Sequence, residues 1–317
     1  MIIHNDINQF SATKPVITIG TFDGVHLGHR KVIDQLNELA GRIEGESVLF
    51  TFYPHPRLIL SKEEANLRLI TTLDEKIEQL EKAGIGHLVI YPFTKDFAAL
   101  TYRQFIEQIL IGKLNLHTLV VGHDHRLGKD REGTFENLRA LSKEKPFNVE
   151  RINTFLIDEV GISSSKIRSA LQTGNISKAN KYLGYTFSLH GKVAEGNRLG
   201  RSIGFPTANI EAADPHKLIP AEGVYAITIK VDNKIYDAML NIGHRPTVNT
   251  NADNRTIEAH IFNFNRDIYR QEVTIYFHKR IRDERKFDSL DQLKTQLIND
   301  KSTIMEVLKA PGNKKAI

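Results

Sequence analysis

The sequence predicts two domains of different class. Residues 1–184 read as an α/β, doubly wound parallel sheet, and residues 185–309 as a small antiparallel β-barrel with C-terminal helical segments, leaving 310–317 as a tail. Three observations carry that expectation. The 317 residues exceed the usual size of one hydrophobic core. The first half alternates strand-like and helix-like apolar patterns, as βα units do. Near Gly184 the pattern changes to short alternating segments rich in β-branched and aromatic residues.

In the first half, Val16 to Ile19 read as a strand that runs into a turn at Gly20 to Gly24. A helix follows, with Val32, Ile33, Leu36, Leu39, Ala40 and Ile43 at helical spacing, which places one buried face against a sheet. The alternation continues through strand-like Val48 to Phe52, helical Leu73 to Ala83, strand-like His87 to Tyr91, helical Tyr102 to Leu114 and strand-like Thr118 to Val121. Ligands of such sheets sit beyond the carboxyl ends of the strands. Gly20 to His29 and Gly122 to Gly128 would lie there.

A helical stretch from Ser163 to Leu183 precedes the change of pattern. Five strand candidates then follow, Phe187 to Val193, Tyr225 to Val231, Ile235 to Asn241, Ile257 to Phe264 and Glu272 to Phe277, separated by turn formers. A compact antiparallel barrel accommodates them. Leu290 to Asn299 and Thr303 to Lys309 read as two closing helices.

Composition narrows the function classes. A hydrophobic content of 40% and a charged content of 26% are those of a globular protein. No stretch approaches the roughly 18 apolar residues of a membrane span, and Met1 to Phe10 lacks the basic start and apolar run of a signal peptide, so a cytoplasmic protein is expected. The absence of cysteine excludes disulfides, thiolate catalysis and Cys-ligated zinc. A net charge of +5 suits an anionic partner such as a nucleotide, a phosphate or a nucleic acid. Because the positive charge is spread along the chain, a solvated surface accounts for most lysines, and nucleic-acid binding is not the expected main role. Nothing in the sequence signals an oligomer or a membrane partner.

The first chemical constellation is Gly20-Thr-Phe-Asp-Gly-Val-His-Leu-Gly-His29. It combines a strand end, a glycine-punctuated turn and two histidines at a helix start. Gly28 lacks a Cβ, so a nucleotide can approach the backbone, and the free N–H groups of a helix start attract anions. His26 and His29, one turn apart, can face one phosphate and stabilise charge developing on it. The plainer reading is a turn with two surface histidines. The second piece, Ile162-Ser-Ser-Ser-Lys-Ile-Arg168, opens a helix with capping hydroxyls and then sets Lys166 and Arg168 where the helix dipole disfavours cations. A bound polyphosphate would compensate them; an N-cap with two solvated bases is the alternative.

In the second half, Gly196-Asn-Arg-Leu-Gly-Arg-Ser-Ile-Gly-Phe-Pro-Thr-Ala-Asn209 begins as a glycine-rich loop. Gly196, Gly200 and Gly204 permit a tight path around an anion, and Arg201 offers a fork of donors to phosphate. If Thr207 to Asn209 is extended, both side chains face one way and can jointly hold a magnesium–ATP complex. Downstream, Asn241-Ile-Gly-His-Arg-Pro-Thr247 precedes Ile257-Glu-Ala-His-Ile-Phe262. A carboxylate flanked by apolar strand residues needs a partner or a task, and Glu258 could accept the proton of a primary hydroxyl attacking a γ-phosphate. His260, on the same strand face, is the competing base, and a surface ion pair is the structural alternative.

These segments together resemble the bacterial bifunctional riboflavin kinase/FAD synthetase (FMN adenylyltransferase) family. The resemblance implies a nucleotidyltransferase-like sheet at residues 1–184 and a riboflavin kinase-like barrel at 185–309. It implies ATP, riboflavin, FMN and FAD as ligands, with magnesium. In the first half, His26 and His29 would contact the ATP phosphates, with Gly20, Phe22, Asp23, Gly28 and Ser164 around the ligand and Lys166 and Arg168 near the leaving pyrophosphate. An FMN phosphate oxygen would attack the α-phosphorus without a general base. Thr51-Phe-Tyr-Pro-His-Pro56 is similar to the family's flavin-lining strand-end loop, although Phe52 could equally be core. In the second half, the resemblance puts Gly200, Arg201, Gly204, Thr207 and Asn209 at the magnesium–ATP site and makes Glu258 the base on the ribityl 5′-hydroxyl. Asp267-Ile-Tyr269 and Ile281-Arg-Asp-Glu-Arg-Lys-Phe287 extend this match along the second half.

The loop Gly122-His-Asp-His-Arg-Leu-Gly128 keeps Asp124 but departs from the family's usual phenylalanines at His125 and Leu127. That departure leaves room for an active kinase half beside a degenerate or retuned nucleotidyltransferase. A nucleotide- or RNA-binding flavin sensor is the reading from another class. A pure binding module would have no need of Glu258.

Overall fold

The computed structural model describes residues 1–60, 67–122, 126–152, 161–195, 204–244 and 255–310. The chain forms two compact units, Met1–Ser163 and Ser164–Ile317.

The first unit is built on six parallel strands: β1 (Ile2–His4), β2 (Val16–Ile19), β3 (Ser47–Tyr53), β4 (His87–Pro92), β5 (Thr118–Val121) and β6 (Asn148–Arg151). Their order is β1-β4-β3-β2-β5-β6. Every residue of β2 is buried, as a central parallel strand covered on both faces requires. Ile17, Ile19, Val48 and Phe50 face one layer with Phe105, Ile106 and Leu110. Val16, Leu49 and Leu88 face the other with Ile33, Leu36 and Leu80. From β2 the chain winds outward through β3 and β4 on one side and through β5 and β6 on the other, so the switch point lies between β2 and β5.

The helices that cover the sheet run over Leu27–Arg42, with Ile33, Leu36 and Ala40 buried at the expected spacing, and over Leu73–Lys82, opened by a Thr72/Glu75 capping box. The helical segment expected from Tyr102 to Leu114 is a short turn, Tyr102–Gln104, that continues as a π-helix over Phe105–Ile111.

In the second unit the helical stretch expected from Ser163 to Leu183 is two helices, Ser164–Gln172 and Ile176–Leu183. Gly174 breaks it with φ +76°, and the Asn175 side chain caps the second helix through Lys178 N–H. Asn180 ties that helix to the barrel, donating to the Phe277 carbonyl at 2.8 Å and accepting from Phe187 N–H at 2.9 Å. The compact unit therefore opens ahead of Gly184, where the local pattern changes.

The barrel closes from β7 (Ser188–Ala194), β8 (Ala208–Ala212), β9 (Gly223–Val231), β10 (Lys234–His244), β11 (Arg255–Ile261) and β12 (Glu272–Arg282), in the order β10-β11-β8-β7-β12-β9 with antiparallel pairings. The two closing helices expected from the sequence are one continuous helix, Leu290–Lys309. Its Ile304 and Leu308 pack on Val224, Ala226, Met239 and Phe262 of the barrel's outer face. The polar stretch that suggested a break holds Asp300, which is 2% exposed. Arg282 meets its carboxylate with Nε at 3.0 Å and an Nη at 2.7 Å, so the helix carries a buried charge inward already neutralised.

Candidate active sites

In the first unit the Gly20–His29 segment leaves the carboxyl end of β2 at the switch point. It is packed from within. Phe22 is buried with φ +46°, and its ring lies where a Cβ on Gly20 would sit, at 2.8 Å, so glycine at 20 makes room for the turn's own aromatic. Asp23 is 2% exposed and turned toward the backbone. Its Oδ1 accepts from Ile70 N–H at 3.0 Å, Thr71 N–H at 3.1 Å and the Thr71 hydroxyl at 3.3 Å. Asp23 thus clamps the segment that leads into the Leu73–Lys82 helix, and Gly24 N–H donates back to Thr71 Oγ1 at 3.0 Å.

His26 is the N-cap of the Leu27–Arg42 helix, its Nδ1 accepting from His29 N–H at 3.3 Å. Burial pushes its imidazole pKa down to about 4 despite the favourable field of Asp23. A neutral ring with Nδ1 accepting carries its proton on Nε2, which leaves one donor for a ligand. His29 stacks on His26 with ring centroids 3.7 Å apart. Burial first, then the neighbouring His26 and Lys76, hold its pKa well below the ordinary value. Its Nδ1 is buried with no partner among the described residues. Gly28 admits this arrangement, because a Cβ there would stand 3.2 Å from the His26 ring. The turn thus presents two neutral imidazoles beside a helix start, an arrangement that can donate hydrogen bonds to phosphate without carrying imidazolium charge.

In the second unit, three strands set a row of polar side chains on the outer face of the barrel. Asn209 of β8 stands opposite Glu258 of β11, and Glu258 stands opposite Asn241 of β10. Thr207 joins them, its hydroxyl donating to Glu258 Oε2 at 3.3 Å. Asn241 Nδ2 donates to Glu284 Oε1 at 3.1 Å, which orients the far end of the row. His260, the competing base, is buried. Its Nδ1 lies 2.8 Å from the Pro206 carbonyl and so carries the proton, and burial lowers the ring's pKa. Glu258 is half-buried and keeps its acceptor oxygens near a hydroxyl. A cavity of about 370 Å³ adjoins Thr207 and is lined also by Ala259, Arg266, Asp267 and Tyr269.

The structure therefore brings Gly20, Phe22, Asp23, His26, Gly28 and His29 into one turn, and Thr207, Asn209 and Glu258 into one row. Gly204 lies before β8 with φ +84°, and no described residue stands within 4 Å of where a Cβ would be. Ser164 begins the first helix of the second unit, with Lys166 exposed and Arg168 half-buried behind it. Asp124, His125, Gly200 and Arg201 lie outside the described residues. Leu127, one of the departures from the family pattern, is buried in the first unit's core with Leu138 and Phe105, so this substitution falls in packing. Phe52 packs on Phe93 and Phe97, with centroids 5.4 and 5.3 Å away. Sequence reasoning missed Lys76, buried at 6% exposure. Its position at i, i+4 and i+7 with Leu80 and Ala83 was the available signal.

Comparison with known proteins follows the same division. Residues 8–166 match the FAD synthetase family and residues 183–308 the riboflavin kinase family. The chain is 37% identical to the bifunctional riboflavin kinase/FMN adenylyltransferase of Bacillus subtilis (strain 168), covering 94% of this chain and 93% of that protein. The protein of the same description from Escherichia coli (strain K12) is 36% identical, with 96% of each chain covered. A solved structure described as a macrolide-efflux protein from Streptococcus pneumoniae superposes with a TM-score of 0.82 at 32% identity, covering 96% of this chain and 98% of that one. Among the described residues no helix is long and apolar enough to cross a membrane. With an FAD synthetase region followed by a riboflavin kinase region along one chain, and near-full-length likeness to proteins that join the two, the chain belongs to the bifunctional riboflavin kinase/FMN adenylyltransferase family.

Proposed function

We propose that the barrel phosphorylates riboflavin to FMN at the Thr207–Asn209–Glu258 row, and that the parallel-sheet unit adenylylates FMN to FAD around the Gly20–His29 turn. The observation that carries the kinase assignment is the Glu258 carboxylate, held in register beside Asn209 and 3.3 Å from the Thr207 hydroxyl. Glu258 accepts the proton of the ribityl 5′-hydroxyl as that oxygen bonds the γ-phosphorus and the bond to the β-phosphate oxygen breaks, releasing ADP. His260 is the poorer base, because its Nδ1–H is committed to Pro206 and its ring resists protonation.

Thr207 and Asn209 contribute neutral oxygen donors side by side, a set that fits a hard cation arriving with ATP phosphates, and they are the residues that would hold magnesium. When bound, that ion neutralises charge on the transferring phosphoryl group. Gly200, Arg201 and Gly204 belong to the same ATP site.

In the other unit, an ionised FMN phosphate oxygen attacks the α-phosphorus of ATP, and pyrophosphate leaves. Positioning carries the rate. The His26 and His29 N–H donors and the Leu27–Arg42 helix start hold phosphate oxygens, with Gly28 letting them close to the backbone. The family resemblance assigns Lys166 and Arg168 to the leaving pyrophosphate, and Asp124 and Ser164 to the nucleotide. Gly20, Phe22 and Asp23 act by shaping the turn. On this reading residues 1–184 and 185–309 are the two functional modules, acting in the cytoplasm. Glu258→Gln tests the kinase assignment: riboflavin and ATP binding should persist while FMN formation is abolished, and unchanged FMN formation would overturn it.

A further inference from the structure

Lys76 lies on the Leu73–Lys82 helix and is 6% exposed, yet its ammonium makes no hydrogen bond and no ion pair among the described residues. The side chain is buried while Nζ itself is not fully enclosed, and an ammonium so poorly hydrated and without a partner carries a cost that proteins resolve with a counter-charge, a shift in pKa or a ligand. The charged and titratable groups around it do not supply the partner. Asp23 faces it from the Gly20–His29 turn, but the Asp23 carboxylate is directed at Ile70 and Thr71. His29 faces it from the same turn as a neutral ring with an unsatisfied Nδ1. On its own helix, Glu75 is engaged with Thr72 N–H, and Gln79 accepts from Arg30.

Two neutral imidazoles and a helix start in the turn thus stand near one buried cation of the neighbouring helix, with nothing anionic bound to that cation among the described residues. Hydrogen-bond donors alone leave a phosphate's charge uncompensated. We propose that Lys76 is a phosphate-binding residue of the adenylyltransferase site, its ammonium completing the His26–His29 turn by pairing with a phosphate oxygen of a bound substrate. The inference rests on the adenylyltransferase reading of that turn and extends it to a residue on a separate helix. Two substrates carry such an oxygen, ATP and FMN.

Steady-state FAD formation by the full-length protein, with ATP and FMN varied in turn, distinguishes them in wild type, Lys76→Met and Lys76→Arg. Loss of one charge-assisted contact should raise KM by about 10- to 100-fold for the substrate whose phosphate Lys76 holds. A rise confined to ATP assigns the contact to the nucleotide, and a rise confined to FMN assigns it to the flavin phosphate. Lys76→Met should also raise the melting temperature of the ligand-free protein, since it removes an unpaired buried charge.

The pH profile separates binding from mere packing. Burial lowers the free Lys76 pKa to about 8, so wild-type kcat/KM should fall roughly fivefold between pH 8 and 9 as the cation is lost. Lys76→Arg keeps its charge there and should restore KM to near wild type while abolishing the fall. If Lys76→Met fails to fold, the arginine profile decides alone: a retained fall overturns the proposal. Unchanged KM for both substrates in Lys76→Met overturns it too, leaving the adenylyltransferase reading intact. That reading fails separately if His26→Asn and His29→Asn leave FAD formation unaltered.

Discussion

Replacing Asp23 by alanine should destabilise the N-terminal unit by an amount that its hydrogen bonds define. The carboxylate is 2% exposed and accepts two backbone N–H groups, those of Ile70 and Thr71, at 3.0 and 3.1 Å. Alanine strands both donors. At about 1–3 kcal/mol for each buried polar group left unsatisfied, the loss is about 2–6 kcal/mol, a large share of the ~5–15 kcal/mol that holds a domain folded. Asparagine keeps an acceptor at the Oδ1 position, which alone contacts all three donors, so Asp23→Asn should lose about 1–2 kcal/mol, the difference between charged and neutral acceptors. Urea unfolding of the full chain, followed by the loss of FAD formation and separately of FMN formation, resolves the effect. The FAD-forming transition should move to lower urea in the order wild type, asparagine, alanine, while the FMN-forming transition stays in place. An alanine variant within about 0.5 kcal/mol of wild type would refute the claim that Asp23 clamps the turn.

Other expectations follow from the same geometry. Asp300→Ala should cost about 3–5 kcal/mol by leaving the Arg282 guanidinium unpaired in the barrel, and the double change Asp300→Leu with Arg282→Met should recover most of it, read as the midpoint of thermal unfolding. His278, buried against Thr228, has a folded pKa lowered by burial to about 4 from 6.5, so its contribution is fully present above pH 6.5 and is lost as pH falls through 4. That amounts to about 3 kcal/mol, and His278→Gln should flatten the stability profile over that window. Thr207→Ala and Asn209→Ala should each raise the KM for magnesium–ATP in FMN formation by about tenfold, with riboflavin KM little changed. Gly174→Ala should destabilise the second unit by more than ~1 kcal/mol, because φ is +76° and the new Cβ would stand 2.5 Å from Arg280 Cδ.

Much of this architecture was legible in the sequence because local pattern and tertiary role coincide. β2 is an unbroken apolar run, and a central parallel strand must be one. The helix after it shows its buried face in Ile33, Leu36 and Ala40. Elements whose role is set from outside were not legible. β1 and β6 are short edge strands with mostly exposed side chains, so no apolar pattern marks them. The stretch around Asp300 is polar enough to end a helix, and its burial is made tolerable by Arg282, brought from β12, with Gln296 of the same helix donating to the carboxylate as well. Gly174-Asn175, by contrast, is a break with a capping residue that the sequence displays.

The sites divide the same way. The glycine-rich and histidine-bearing segments stand out because their chemistry is contiguous in the chain. The row Asn209–Glu258–Asn241 is contiguous only across three strands, so Asn241 acquires its place from register. Lys76 is hidden for a further reason: a lysine in a helix ordinarily reads as solvated, and its burial is a product of tertiary packing that no local pattern displays.

The central claim is that one chain carries both steps of flavin cofactor synthesis. Purified protein incubated with riboflavin, ATP and magnesium, with products separated by chromatography and detected by fluorescence, tests it most directly. FMN that appears first and is then converted to FAD is the predicted result. FMN without FAD would contradict the adenylyltransferase assignment of the Gly20–His29 turn, and the absence of both products would contradict the account as a whole.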